Sequence, residues 1–457
     1  MARKRLIFNA FVCPSPGHVK PGLWPHDLPG NELADFDRLD TWIRLAKKLE
    51  EGRFDGLFIG DVLGLYAPYG GNWDVFVRDG NRFPMLDSLI LASTLVPETQ
   101  NLGLILTASV IQDHPYSLAR RIATLDHFSE GRVGWNIVTS STENAHRNYG
   151  ADTIVNHDER YEWAEEHVDA VLKLLEGSWE EGAVVRDSAR RIYADPGKVH
   201  RINHEGRHYR VEGPLIVHPS PQRVPTLFQA GSSPRGIDFA TRFAEGALLL
   251  NSLEGAGNVI SGLRQGAARH GRRPEDIKIL AALTFVVGST EREAKEKWEQ
   301  YEDLMNHEAL AAEVGGNIGI DLSKLDMDGP IDYSNAQGGI GKIIAEAKKY
   351  RNGVITKRQY LQGVARETTI VGTPEQVADR LEQWQDAGID GVNVMNYLIP
   401  GTYHDFVDHV IPELRSRGLA QTEYSPGTLR EKLFVEGPHL NRRHPGYAYR
   451  GAFTAPL

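Results

Sequence analysis

The chain has 457 residues, 41% hydrophobic, 25% charged and 9% aromatic, with 46 Gly, 24 Pro and one Cys. These proportions belong to an ordinary folded globular protein and exclude disordered, collagen-like and fibrous classes. Its 51 Lys+Arg against 61 Asp+Glu leave a formal charge of −10, the wrong sign for the basic stripe of a nucleic-acid footprint. Leu6–Phe11 behind Arg3-Lys4-Arg5 is too brief for a signal segment. No apolar run approaches the ~18 residues that span a bilayer. A single cysteine cannot close an internal disulfide, so the expected compartment is a reducing cytoplasm.

In chain order, eight short apolar runs read as strands: Leu6–Cys13, Phe54–Gly60, Leu102–Val110, Arg132–Val138, Thr226–Gly231, Ala247–Asn251, Ile279–Val287 and Gly391–Asn396. Most are continuously apolar, as strands buried on both faces must be. Between them lie segments of helical period, among them Asp40–Leu49, Asp158–Leu175 and Thr373–Ala387, the last opened by Thr373-Pro374-Glu375. At about 150 residues per domain the length allows three domains, but α/β barrels pass 250 residues as one. The alternation predicts an α/β fold, a (β/α)8 TIM barrel rather than a doubly wound open sheet. Periodicity alone does not show that the sheet closes.

Two stretches depart from the repeat. Residues 178–225 are rich in charge, Pro and Gly, with a hairpin expected at Asn203–Val211, and residues 306–369 carry many glycines and a helical patch near Ile343–Tyr350. Both read as insertions in barrel loops of a single domain, the second placed where a mobile lid would sit. Beyond Gly418 the Pro-containing tail, 419–457, reads as an arm across the surface or onto a neighbouring subunit.

Barrel chemistry sits at the carboxyl ends of the strands. Here those ends supply Cys13–His18, Asp61, Thr107 and Ser109, Thr139-Ser140-Ser141, Ser232-Ser233, Asn251 and Asn396. The set is rich in hydroxyls and lacks the paired acids of a glycosidase. Ala230-Gly231-Ser232-Ser233-Pro234-Arg235-Gly236 combines a strand end, an N-capping Ser and a Pro at the first helical position. That is either a plain capped helix or an anion site for a phosphate. His157 and Tyr161 share a helix face and can reach one ligand or simply pack. Asp61 ends an apolar strand and needs a partner or ligand. His18 reads as an acid/base group at the mouth or as a surface histidine, and Cys13 as a buried filler.

Three other signals fail. Gly338–Lys342 lacks a phosphate loop's first Gly and its Ser/Thr, where Ala336 and Ile343 stand. Gly255-Ala256-Gly257 has no third Gly at the dinucleotide spacing. The Glu205-Gly206 turn breaks the helix that a metal site at His200, His204 and His208 would need. From the residues alone, a barrel with a phosphate-bearing ligand is the limit.

A resemblance extends this. Asn9-Ala10-Phe11, Gly17-His18, Gly22-Leu23-Trp24, Phe54-Asp55 with Asp61, His114-Pro115-Tyr116, Thr124-Leu125-Asp126-His127, Trp135-Asn136-Ile137-Val138-Thr139-Ser140, His157-Asp158-Glu159-Arg160-Tyr161, Pro219-Ser220-Pro221-Gln222-Arg223 and Gln229-Ala230-Gly231 occur in order. Together they resemble the flavin-dependent monooxygenases of the bacterial luciferase-like superfamily, in the branch of nitrilotriacetate, dibenzothiophene sulfone and long-chain alkane monooxygenases. The resemblance runs from about Leu6 to Phe434.

It implies a two-component enzyme that takes FMN, as FMNH2, from a separate NAD(P)H:flavin reductase. Such an enzyme inserts one oxygen atom of O2 into a small organic substrate through a flavin C4a-(hydro)peroxide. The implied flavin contacts are Asp61, Thr107, Asn136, Ser141, His157, Tyr161, Ala230 and Ser233, the phosphate on His157, Tyr161 and Ser233, and Asp61 and Thr107 nearer the ring. His18 is the implied donor beside the reacting oxygen and Tyr66 a substrate-side hydroxyl. No metal, nucleic acid or membrane partner is implied, and a homodimer or homotetramer is. The competing readings are a deazaflavin-dependent oxidoreductase of the same superfamily and a flavin-binding protein without monooxygenase activity. Two departures bear on substrate choice. The alkane branch has a Cys where Ser15 stands, and relatives place a His just before the glycine pair that follows Ala311-Ala312-Glu313-Val314 here.

Overall fold

The computed structural model describes residues 3–18, 20–67, 69–231, 233–331, 340–350 and 353–454. Ser232 and the Gly338-Gly339 pair lie outside them. Eight parallel strands form a closed ring: β1 (Ile7–Val12), β2 (Gly56–Ile59), β3 (Gly103–Ser109), β4 (Val133–Val138), β5 (Thr226–Gln229), β6 (Gly246–Leu249), β7 (Lys278–Val287) and β8 (Gly391–Met395). The ring closes where Ile7 of β1 pairs with Gly391 of β8, and β6 joins β7 at Gly246 and Lys278. A short strand, Thr369–Gly372, adds to the outer half of β7. The expected barrel is present, with all eight expected strands at ends shifted by a residue or two.

The strands are apolar throughout because both of their faces are buried. All seven residues of β3 are buried. Alternate side chains point inward, where Ile7, Phe58, Ile105, Phe228, Leu248 and Leu280 form one cluster, with Phe58 and Phe228 edge to face at 5.7 Å. Each such ring contributes about 1.5–3 kcal/mol by leaving water. The barrel is narrow enough that a Cβ on Gly246 would lie 2.3 Å from the Phe228 ring, so only glycine lets the two strands pass.

Outward-facing residues pack on amphipathic helices whose starts are written in the sequence. Thr373 caps helix Pro374–Asp386 in a reciprocal capping box with Gln376 and buries Val377, Leu381 and Trp384.

Between β4 and β5 the chain forms the expected hairpin, His204–Glu205 against Arg210–Val211, and a second one, Val184–Asp187 against Ile192–Ala194. Strand residues of the second are largely exposed, which is why no apolar alternation announces it. Helices His307–Ile318, Ile340–Ala347 and Lys357–Glu367 share an apolar cluster built on Leu310, Val314, Ile318, Ile343 and Leu361, separate from the barrel core.

The C-terminal tail turns under the amino-terminal end of the barrel. Leu429 and Leu433 enter the interior cluster, and the buried Arg430 guanidinium grips Glu245 through Nε and Nη2, both at 2.7 Å, while donating to the carbonyls of Val224, Pro225 and Pro438. No helix among the described residues is long and apolar enough to cross a membrane.

Candidate active site at the carboxyl ends of the strands

The residues singled out in the sequence collect at one end of the barrel. Ser233 follows β5 and caps helix Pro234–Phe243, its Oγ accepting from the Gly236 amide at 3.0 Å. His157 opens helix His157–Leu172, and its Nε2 meets Ser233 Oγ at 3.2 Å. One turn on, the Tyr161 ring lies 5.2 Å from that of His157, and the Tyr161 hydroxyl accepts from Gln229 Nε2 at 3.4 Å. Burial raises the Tyr161 phenol above its usual range, with Ser233 and Gln229 opposing, so it stays a donor. A Cβ on Gly231 would fall 2.4 Å from Gln229 Nε2 and 2.7 Å from Tyr161 Oη. The backbone beside Ala230, which is partly buried, can therefore approach this cradle only because residue 231 is Gly. Arg235 stands 5.8 Å from the Tyr161 ring. Donors at a helix N-terminus suit an anion, and His157, Asp158, Ser233, Arg235 and Asp238 line a cavity of about 610 Å3 there, with Arg235 held by Glu165 at 2.6 Å.

Deeper in, parallel pairing sets Thr107 of β3 beside Asn136 of β4. Asn136 Nδ2 donates to Thr107 Oγ1 at 2.9 Å, which leaves the buried Asn136 Oδ1 with no partner. Asp61, just past β2, accepts from the Ser88 amide at 3.2 Å. Burial pushes its carboxyl up to about 7; the Ser88 amide opposes this and Asp87 adds to it. Asp61 thus anchors a helix start while holding its proton near neutrality.

The remaining residues gather around the loop after β1. His18 is partly buried, its ring 5.6 Å from Phe11, and burial followed by the Arg82 charge lowers it to about 3, so the ring is neutral. Tyr66 donates to Asn317 Oδ1 at 2.9 Å and lies 3.4 Å from Ser141 Oγ, linking the barrel to helix His307–Ile318. Among the described residues no hydrogen bond ties Asp61, Ala230 or His18 to another expected site residue. Cys13 is buried, and desolvation pushes its thiol up to about 12, an inert state.

Three further groups border this end without having been singled out. Gln229 bridges Tyr161 and the Gly231 amide, which donates to Gln229 Oε1 at 2.8 Å. Arg82 and Glu313 form a buried ion pair at 2.6 Å beside His18. Their signal in the sequence is weak: Gln229 sits inside a family motif, and Glu313 in the stretch that precedes the glycine pair. A larger hollow of about 1060 Å3 lies at the opposite end, among Ile7, Lys278 and the tail. That is the end of a barrel that carries stability rather than chemistry.

Residues 17–391 match the model of the family described as luciferase-like monooxygenase. The chain belongs to that family. A dimethyl-sulfide monooxygenase of Hyphomicrobium sulfonivorans is 40% identical over 462 residues, covering 99% of this chain and 95% of the relative. A long-chain alkane monooxygenase of Geobacillus thermodenitrificans is 41% identical over 450 residues, covering 98% of each. A riboflavin lyase solved with modified FMN and riboflavin superposes with a TM-score of 0.86 at 35% identity, covering 98% of this chain and all of that one. As a luciferase-like monooxygenase, the chain is an enzyme, and flavin dependence follows from the family.

Proposed function

We propose that this luciferase-like monooxygenase is a two-component enzyme. It takes FMNH2 from a separate NAD(P)H:flavin reductase and transfers one oxygen atom of O2 to a small organic substrate. The carrying observation is the cradle of Ser233, His157 and Tyr161 around Gly231 at the start of helix Pro234–Phe243. The residues fit FMN on this structure's own terms: the cradle supplies donors for a phosphate, and the orphaned Asn136 Oδ1 is a buried acceptor for a ring N–H. His157, Tyr161, Ser233 and the backbone at Ala230 would hold the phosphate end, and Asp61, Thr107, Asn136 and Ser141 the ring end. Bound and reduced, the flavin supplies the two electrons that let one oxygen atom enter the substrate while the other leaves as water.

The chain's own part is to bind, orient and protect. Tyr161 and Ser233 would donate to the phosphate, and Thr107 orients the Asn136 amide by taking one of its hydrogens. Neutral His18 carries one ring N–H beside the mouth and can donate it without bringing a second cation next to Arg82. Tyr66 offers a hydroxyl on the substrate side. Helix His307–Ile318, in the 306–369 insertion, reaches that hydroxyl through Asn317 and would shield the substrate side if the insertion acts as a lid. The rest of the reading is one barrel domain with insertions at 178–225 and 306–369 and a tail at 419–457, cytoplasmic, in a homodimer or homotetramer.

The test is coupled turnover with FMN, NADH, a generic flavin reductase and 18O2 over dimethyl sulfide, long-chain alkanes, aryl sulfones and aminopolycarboxylates. One labelled oxygen in a product is the expected result. Loss of all reducing equivalents to hydrogen peroxide at the rate of free FMNH2, across the whole panel, overturns the reading.

A further inference from the structure

The Arg82–Glu313 pair does more than hold two elements together. Arg82 Nη2 donates to Glu313 Oε1 at 2.6 Å, and Asn81 Nδ2 takes the other carboxylate oxygen at 3.2 Å, so Glu313 is fully partnered. The guanidinium is not. Of its five N–H groups, one reaches Glu313, and the buried Nε has no partner. Burial works against both charges, yet each sustains the other: Glu313 is held below the usual carboxylate range and Arg82 above its own. The remaining Nη hydrogens of the guanidinium are left for an acceptor.

Arg82 also lines a cavity of about 390 Å3 beside the carboxyl ends of β2 and β4. Its other walls are mainly apolar, with Leu63, Leu65, Trp73, Val77 and Phe83 among them. Two amides border it, but Asn144 Oδ1 is taken by the Leu65 amide and Asn148 Nδ2 by the Leu63 carbonyl. Arg82 is therefore the charged group on the lining of this mainly apolar hollow, beside the two amides. Arg82 links the hollow to the proposed donors: its amide donates to the Gly17 carbonyl, next to His18, and its guanidinium faces the Tyr66 ring at 6.0 Å. The size of the hollow suits a small ligand with an apolar body.

Resting on the monooxygenase reading, we propose that Arg82 is a specificity-determining residue that selects an apolar substrate bearing a neutral oxygen acceptor, of the sulfone, sulfoxide or carbonyl type. Charge decides against a carboxylate or sulfonate. Glu313 already cancels Arg82, so an anion would leave a net negative charge close to Glu313, and like charges at that distance repel. A neutral acceptor fills the open N–H positions without that cost, while its apolar part lies against Trp73 and Phe83.

The experiment is calorimetric binding of methyl phenyl sulfone, thioanisole and benzenesulfonate to the full-length, flavin-free chain under argon. The expected order is sulfone at least tenfold tighter than thioanisole, with benzenesulfonate weaker than the sulfone. In Glu313→Gln the order of the last two reverses, because the uncancelled guanidinium then favours the anion. In Arg82→Gln the sulfone loses its advantage over thioanisole. Equal sulfone and thioanisole affinities in the native chain, no binding by any probe, or an unchanged order in Glu313→Gln overturns the proposal. Should Arg82→Gln fail to fold, Glu313→Gln decides alone, since Gln keeps the hydrogen bond and the shape. Neither flavin nor oxygen takes part, so failure of oxygen transfer with this selectivity intact would count against the monooxygenase reading and leave Arg82's role standing.

Discussion

Ser233 and His157 are 76 residues apart in sequence and 3.2 Å apart in space. That contact joins the two helix starts on which the proposed phosphate cradle rests. Ser233 serves it and its own helix at once, because its Oγ also caps Pro234–Phe243. The two duties can be separated. Tyr161→Phe with Ser233→Ala should weaken FMNH2 binding by about 1–3 kcal/mol, the usual loss for hydrogen bonds to a charged group. Ser233→Asp keeps the cap and adds a charge that repels phosphate, so it should abolish binding while leaving the melting temperature nearly unchanged. Anaerobic titration followed by fluorescence measures both, and full affinity in Ser233→Asp would move the phosphate elsewhere.

Asp61 gives the fold an uncommon pH dependence. Its folded pKa, about 7, lies above the ordinary 3.8, so between those values the native state binds more protons than the unfolded state. Its contribution to stability is therefore intact below about pH 4 and is lost as pH rises through 7. His18 acts in the opposite sense: lowered to about 3 from 6.5, it costs stability as pH falls through that window. Asp61→Asn should thus gain on the native chain by on the order of 4 kcal/mol between pH 4 and 8. Denaturant unfolding at several pH values checks this, and a constant difference would show that Asp61 is ionised throughout.

At the other end, Arg430 and Glu245 are a buried pair exposed by only 2% and 4%. Arg430→Met strands the Glu245 carboxylate in the barrel floor and should cost about 3–5 kcal/mol, while Arg430→Met with Glu245→Leu should recover most of it. Thermal unfolding measures the cycle. FMNH2 affinity in the double variant should match the native chain's, because the pair lies at the opposite end of the barrel from the cradle.

His18→Ala should leave FMNH2 binding intact and lower coupling, read as product formed per FMNH2 oxidised, by about tenfold, within reach of losing one positioned donor. Hydrogen peroxide should rise to match. Unchanged coupling would assign the donor role to another group at the mouth.

Much of the barrel is legible in the sequence because a strand buried on both faces must be apolar along its whole length, as in Leu102-Gly103-Leu104-Ile105-Leu106. The helix starts are legible for a local reason as well, since Thr373, Ser233 and Asn156 each satisfy the amide three residues on. The hairpin at Val184–Ala194 was not, because its side chains are mostly exposed and no buried face imposes alternation. The site divides in the same way. His157 and Tyr161 share a helical face by spacing alone. Arg82 and Glu313 are 231 residues apart, and each reads by itself as one more surface charge.

Sequence alone thus determined the class of fold and the residues available at the strand ends, since burial on two faces and local capping are written within a few neighbouring positions. Only the tertiary structure decided that the sheet closes on itself and that the tail plugs its floor through Arg430. It also decided that a carboxylate from the 306–369 insertion neutralises an arginine at the mouth of the barrel. These depend on which distant charges and apolar faces meet away from water, and the energy of such a meeting belongs to the pair.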